Sequence, residues 1–458
     1  MRLKRIAEAV MWLPGFAPED DPIAVDGFAR QEWKGEIIAF PSKEARQSSV
    51  MTFWPGLNAS DFDGLSGEVT KFEANCSAIV LLRKLEDEGR GPTTEERTIL
   101  NRYTGWGGLP WAFNPDQDES NRKIRVERLQ TLLAEDEYES ARASTNSAHY
   151  TSVEIIDAMW AAVRRLGFTG GRILEPSAGN GYFLGAMPRE VAEKSTVTAV
   201  EIDQLSARLL TSLYGDHGVR VANEGFEVAR LPADFFDLVI SNVPFGNYQT
   251  PETRHVPFRD FLIHDYFFAR ALEVVRPGGL VAFITSAGTL DKSDTAARKY
   301  LANRARLLGS IRLPLQAFQK IANTEVTTDI VFLQKLKEGE AGNGDAWAEW
   351  PVEIPSSHIA RDAGIPAWQW RNVRVCKWFA ERPEWIVGKL TLAENGYGKA
   401  NACTFEGDIG AALLERVALL PEGVYRDVEQ TRDRSEGCAE VRVLAGNFVC
   451  LLYTSRCV

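Results

Sequence analysis

Apolar residues recur at spacings of three and four from about residue 65 to 102. The pattern runs through VTKFEANCSAIVLLRKLEDEG, ends at Gly89 and restarts after Pro92 with TTEERTILNRY. Such spacing lays one apolar stripe along a helix, with glycine as its stop and proline as the mark of a restart. A Gly- and Trp-rich loop, YTGWGGLPWAF, follows. The stretch RVERLQTLLAEDEYESAR then predicts one more helix, and a polar STNSAHYT connector closes a helical region over 65–148. Beyond it the period changes. The runs RIL (172–174), TVTAVEI (196–202), VRVA (219–222), FDLVIS (236–241) and LVAFITS (280–286) are rich in Val and Ile on both faces, with helical patterns between most of them. Strands apolar on both faces and separated by crossover helices predict an α/β region, 149–338, with a mostly parallel sheet covered on both sides. Its end, ARKYLANRARLLGSIRLP and TTDIVFLQK, predicts a helix, a strand and a closing strand that pairs antiparallel.

The flanks carry less pattern. Residues 1–64 mix Pro, Gly and charge, and no period emerges before about residue 65. After 338, EGEAGNGDAW reads as a linker. The accessory region 339–448 then has Trp-rich turns (WAEWP, WQWRN, PEWIV) and one helix, IGAALLERVALL. Cys450 to Ser455 reads CLLYTS, the product expected of one frame of a common transposon-based sequencing adaptor. Residues 449–458 are therefore expected to be a non-native tail, with the natural chain continuing past them.

At 458 residues the chain exceeds one hydrophobic core, and its 45% hydrophobic and 25% charged residues are those of a globular protein. No apolar run is long enough to span a bilayer, and Glu8 interrupts the only stretch resembling a secretion signal, so a cytoplasmic location and no membrane partner are expected. Cys76, Cys376, Cys403, Cys438, Cys450 and Cys457 form no CxxC pair, and His149, His217, His255, His264 and His358 form no metal-ligand spacing. No metal is expected. The formal net charge of −11 argues against a surface coated in nucleic acid, so any such site is a local patch. The basic stretch Arg298, Lys299, Arg304, Arg306 and Arg312 reads either as a solvated helix face or as a phosphate-contacting one, while Trp106 and Trp111 read as packing residues.

The chemistry-bearing residues follow the strands. The first strand runs into EPSAGNGYF, where Gly179 and Gly181 precede a helix, the arrangement in which backbone amides meet a nucleotide-like ligand. Leu184 stands where a dinucleotide fingerprint places its third glycine. Glu175, just before Pro176 and the turn, would repel a pyrophosphate but suits an ammonium group, which favours a ligand with an amino-acid moiety such as S-adenosylmethionine. The second strand ends in VEID, so that Glu201 is placed to take two ribose hydroxyls, with Asp203 as the cap of the next helix. The fourth ends in SNVPFG. A turn explains Asn and Pro there but not an aromatic. Asn242 and the carbonyl of Val243 would accept the two hydrogens of a planar amine, and Phe245 offers a face for an extruded base, worth about 1–3 kcal/mol.

EPSAGNG, VEID and SNVPFG, in that order on one sheet, resemble the adenine-specific amino DNA methyltransferases with the Asn-Pro-Pro-aromatic motif. YTGWGGLPWAF, GTLDK, IRLPLQAF and TEVTTDIVFLQK resemble a plasmid- and phage-borne subgroup in which the methylase is followed by a helicase. The resemblance implies a Rossmann-like S-adenosylmethionine-dependent methyltransferase sheet whose last strand is antiparallel. It also implies DNA as partner, a helicase portion or partner, and an N6-adenine product in a restriction-modification or mobile-element setting. By the same resemblance Thr151, Glu175, Pro176, Gly179, Gly181 and Glu201 surround the cofactor. Phe226 lies near the cofactor's adenine, and Asn242, Val243, Pro244 and Phe245 hold the target amine. AHYTSVEIIDAMW resembles the helix closing over the methionine end, with Thr151 and Glu154 in capping-box spacing. Val243 replaces the motif's first Pro, so a carbonyl is kept, some rigidity is lost and an amide donor is gained. The same site chemistry suits cytosine amino groups and protein glutamine, and an inactive DNA-binding or assembly module of a mobile-element defence or anti-restriction protein is the alternative of a different class.

Overall fold

The computed structural model describes residues 54–65, 67–114, 120–145, 151–318, 327–356, 372–395 and 398–426. The segment 1–53 and the expected tail at 449–458 lie outside the described residues. Helix α1 (Glu68–Glu88) ends where Gly89 turns left-handed, with its N–H on the carbonyls of Leu85 and Glu86. Helix α2 (Thr94–Asn101) opens with a capping box: the Glu96 N–H donates to Thr93 Oγ1 (3.3 Å) and the Thr93 N–H to the Glu96 carboxylate (2.9 Å).

The single helix expected over RVERLQTLLAEDEYESAR is two, α3 (Ser120–Leu132) and α4 (Glu135–Ser144). Ala134 leaves helical geometry (ψ 161°) and donates its N–H to the Glu137 carboxylate at 2.8 Å. The run EDE thus sits on a helix N-terminus, where negative charge is stabilised, instead of mid-helix. Arg83 and Arg208 hold Glu137 in place.

The second region alternates helix and strand: α5 (Val153–Arg165), β1 (Arg172–Glu175), α6 (Tyr182–Gly185), β2 (Thr196–Val200), α7 (Gln204–Tyr214), β3 (Arg220–Ala222), β4 (Phe236–Asn242), α8 (Ile263–Val274), β5 (Val275–Ser286), α9 (Ala296–Ala302), β6 (Ala305–Leu313) and β7 (Thr328–Lys335). The strands form one sheet in the order β3-β2-β1-β4-β5-β7-β6. Only β7 runs against its neighbours, β5 on one side and β6 on the other. This is the mostly parallel sheet with an antiparallel last strand that the sequence predicted. Central strands are buried throughout: β4 exposes no side chain before Asn242, and Leu238, Val239 and Ile240 are fully covered. The order reverses between β1 and β4, which opens a crevice at the carboxyl ends of those strands.

Two expectations fail locally. Ser152, not Thr151, is the N-cap of α5, and it makes no side-chain cap bond, so Thr151 and Glu154 form no capping box. The basic stretch is not one solvated or phosphate-contacting face: Arg298 and Arg312 are fully buried. Arg312 pairs with Asp329 (2.9 Å) and Asp291 (2.7 Å), and Arg298 donates to the carbonyls of Thr289 and Glu349. Trp106 and Trp111 pack in the core, as read.

After the sheet come the pairs β8 (Val352–Ile354) with β9 (Val373–Val375) and β10 (Lys389–Asn395) with β11 (Gly398–Thr404), both antiparallel, then α10 (Ile409–Val417). Helix α10 packs on α5, and the chain beyond it is stitched to the end of that helix by Arg165 Nε to Leu420 O (2.6 Å) and Tyr425 N–H to Leu166 O (2.7 Å). Among the described residues no helix is long and apolar enough to cross a membrane.

Candidate active site

A cleft of about 450 Å³ opens at the carboxyl ends of β1, β2 and β4. Its first wall is the turn after β1. Gly179 (φ +55°) and Gly181 (φ +88°) take conformations that favour glycine. The Gly179 N–H donates to Glu201 Oε2 at 2.7 Å, so the acid at the tip of β2 holds the turn after β1 across 22 residues of sequence. Glu201 Oε1 accepts from the Asp203 N–H, also at 2.7 Å. Gly179 lines the cleft and Gly181 does not. A Cβ on Gly181 would meet Leu210 and Tyr214 at 2.5 and 2.6 Å, so this glycine serves the packing of the turn on α7.

The charges in the cleft are of one sign. Glu175, Glu201, Asp203, Glu224 and Glu227 line it, with no Lys, Arg or His among the described lining residues. Glu175 is almost fully buried, and its Oε2 has no hydrogen-bond partner among the described residues. Burial, reinforced by the charge of Glu201, pushes its carboxyl well above the usual carboxylate range. Burial likewise lifts Glu201 to about 7, against the lowering effect of its backbone N–H donors. Buried carboxylates without counter-charges favour a cationic ligand and disfavour a phosphate. Asp203 caps α7 through the Ser206 N–H (2.8 Å), the role the sequence assigned it. Thr151, Pro176 and Phe226 complete this half of the wall, and the Phe226 ring packs on Phe267 at 5.0 Å.

Asn242, Val243, Pro244 and Phe245 line the other half. Ser177 Oγ donates to the Asn242 carbonyl at 3.1 Å and Ser241 Oγ to the Ser177 carbonyl at 3.3 Å, so the turns after β1 and β4 are bonded together. The Val243 N–H, which a proline would lack, donates to Ile284 O at 3.1 Å and carries the β4–β5 ladder one bond further. The rigidity lost with the ring is supplied by the sheet. Phe245 is half-buried in the cleft wall. Every sequence-predicted site residue except Gly181 therefore meets in one cavity.

Residues 136–347 match the family model described as N-6 DNA Methylase. Over 276 residues the chain is 29% identical to the Defense against restriction protein B of Escherichia phage P1, a match covering 60% of this chain and 10% of that protein. The chain thus spans about a tenth of the length of that relative. Among solved structures it resembles a putative class I S-adenosylmethionine-dependent methyltransferase of Listeria monocytogenes (17% identity, TM-score 0.39, 59% of this chain and 88% of that one). It also resembles the methyltransferase subunit of a type I restriction-modification system of Streptococcus thermophilus (13% identity, TM-score 0.38, 81% and 96%).

Sequence reasoning missed one wall of the cleft. Tyr103 and Gly105, from the YTGWGG loop, and Ser140, Ala143 and Ser144, from α4, line it. Asn75, fully buried in α1, fixes the loop by donating to Gly105 O (2.6 Å) and accepting from the Thr104 N–H (2.8 Å). Asn180 and Tyr182, beside the glycine turn, donate to the Tyr103 carbonyl at 3.0 and 2.9 Å. Ser140 Oγ donates to Asp203 at 2.7 Å. The available signal was a buried-helix Asn and a glycine cluster with no turn to explain it.

Proposed function

We propose that this chain transfers a methyl group from S-adenosylmethionine to the exocyclic N6 amine of adenine in DNA, with the target base turned out of the duplex into the cleft. The observation that carries the reading is the joining of two chemistries in one cavity: buried carboxylates without a counter-charge among the described lining residues on the β1–β2 side and the Asn-Val-Pro-Phe turn on the β4 side. On the first side Glu175 suits the ammonium of the cofactor, Glu201 its ribose hydroxyls, Thr151 its methionine end and Phe226 its adenine, while Pro176 and Gly179 shape the turn against it. The cofactor supplies an electrophilic methyl group on a sulfonium centre, whose positive charge the acidic lining favours. On the second side the Asn242 oxygen and the Val243 carbonyl accept the two amine hydrogens, which turns the nitrogen lone pair out of the ring and toward the methyl group. Phe245 stacks on the base, and Pro244 keeps the turn in shape. The amine nitrogen gains the methyl group as the methyl–sulfur bond breaks, with the sulfur keeping the electron pair; the nitrogen turns cationic and then releases its proton to water.

The net charge of −11 leaves the phosphate contacts to a local patch or to a further portion of the protein, for which a helicase portion or partner is the reading taken from the sequence resemblance. A second reading has its own support: likeness to an anti-restriction protein fits an assembly module that keeps the cofactor pocket as scaffold. Transfer of labelled methyl to unmethylated DNA, with nucleosides resolved by mass spectrometry and Asn242→Ala alongside, separates the two. Methyladenine that falls at least 100-fold in the variant supports the enzyme. Methylcytosine, or label on protein glutamine, keeps the chemistry and replaces the substrate. Cofactor binding without product, unchanged by Asn242→Ala, supports the module.

A further inference from the structure

The segment leaving the Asn-Val-Pro-Phe turn, Tyr248 to Pro251, forms part of the cleft wall, together with Ile263 and Phe267 of α8. It is pinned at both ends. The Ile263 N–H donates to Tyr248 O at 2.8 Å, Gln249 bridges to Leu262, and the Gln249 amide donates to Asp260 O at 2.8 Å. On the far side Glu252 is buried and takes the Tyr266 hydroxyl (2.5 Å) and the Arg254 guanidinium (2.7 Å). Thr250 sits between these anchors, more than nine-tenths buried, and lines the cleft. Its hydroxyl has no hydrogen-bond partner among the described residues. A buried hydroxyl left unpaired costs stability, so one kept on a residue that lines a ligand cavity points to a ligand atom.

Resting on the amino-methyltransferase reading of this cleft, we infer that the Thr250 hydroxyl donates to the ring nitrogen beside the target amine, N1 of adenine, and so reads the base. The two amine hydrogens are taken by Asn242 and the Val243 carbonyl, and N1 is then the remaining Watson–Crick acceptor of the extruded base. A flipped base is read along that edge. The neighbouring polar groups are committed elsewhere: Ser177 Oγ to the Asn242 carbonyl and the Gln249 amide to Asp260. Thr250 keeps a buried hydroxyl without a partner among the described residues.

The test is an atomic double-mutant cycle on a synthetic duplex carrying a methylated site mapped with the wild-type protein. Thr250→Val, which keeps shape and removes the hydroxyl, is expected to lower kcat/KM for DNA about 10- to 100-fold, and Thr250→Ser to restore most of it. The melting temperature and S-adenosylmethionine affinity are expected to hold. Replacing the target adenine by 1-deazaadenine, which lacks N1, is expected to lower the wild-type rate by a similar factor and to leave Thr250→Val nearly unaffected. A Thr250→Val protein with wild-type kcat/KM, or losses from the two changes that multiply, overturns the inference. Base extrusion is followed separately by the fluorescence of 2-aminopurine at the target position, a base that keeps N1. If the wild type extrudes it but transfers no methyl group to the duplex carrying adenine at that position, the proposed activity fails, and Thr250 is judged by whether Thr250→Val weakens binding of the 2-aminopurine duplex about 10-fold. If it extrudes nothing, the Thr250 contact fails as well.

Discussion

Asp237, at the start of β4, and Glu175, at the end of β1, are buried carboxylates of one sheet that the molecule treats in opposite ways. Asp237 accepts from Arg172 Nε (2.8 Å), the Arg172 N–H (2.8 Å) and Arg276 Nε (2.5 Å). Burial pushes its carboxyl up, but the two guanidiniums more than offset this and hold it below the usual range. Glu175 has no cation beside it and is pushed up by burial and by Glu201. The amino end of the sheet thus carries a completed ion network and the carboxyl end an unfinished one. A completed network holds strands together, whereas an unfinished one raises the free energy of the empty protein and is relieved by a cationic ligand.

The comparison breaks most visibly at the completed end. Asp237→Asn leaves two arginines without their carboxylate, and the loss is expected to be about 3 kcal/mol, read by denaturant unfolding, with S-adenosylmethionine affinity unchanged in the folded protein. An Asp237→Asn protein as stable as wild type would remove the distinction between the two ends.

At the unfinished end pH does the work. Glu201 has a folded value of about 7 against an ordinary 4.5, so in the empty protein the native state holds the extra proton between those values. Its favourable contribution is complete below about 4.5 and is lost as pH rises through 7, a fall of up to about 3 kcal/mol by pH 8. Glu201→Gln is expected to flatten that part of the profile. Cofactor affinity is expected to move the other way, tightening about tenfold from pH 6 to 8, because the ionised form is the stronger acceptor for the ribose hydroxyls proposed to meet it. Opposite slopes in thermal unfolding and in calorimetric titration are the signature, and parallel slopes would refute it.

Glu175→Gln sharpens the contrast further. Removing a buried carboxyl that has no counter-charge is expected to leave the melting temperature at pH 8 equal or higher, while S-adenosylmethionine binding weakens about 10- to 100-fold. A variant that loses stability and binding together would make Glu175 a structural residue like Asp237.

What was readable in the sequence follows the same division. The strands, the glycine turn, Glu201 and the Asn-Val-Pro-Phe turn are short-range signals: apolar runs bounded by turn residues, with polar groups at the strand ends where ligands sit. The wall of Tyr103, Gly105 and Ser140 was not readable, because its place depends on Asn75, Asn180 and Asp203, far away in sequence. Nor was the burial of Arg312, which rests on Asp329, its partner across the β6–β7 pairing, and on Asp291 in the turn of helix after β5. The break before Glu135 escaped because apolar period alone does not register an acid run seeking a helix N-terminus.

Val243 gives the smallest effect and the finest test. The bond from its N–H to Ile284 O joins β4 to β5 at the point where the strand becomes the site. Val243→Pro restores the residue of the general motif but deletes that bond, so stability is expected to fall by about 1 kcal/mol. The carbonyl proposed to accept the amine hydrogen survives, and methyl transfer is expected to stay within about threefold of wild type. If Val243→Pro instead gains both stability and rate, the ladder bond does not replace the ring's rigidity, and this turn is held by the contact of Ser177 with the Asn242 carbonyl alone.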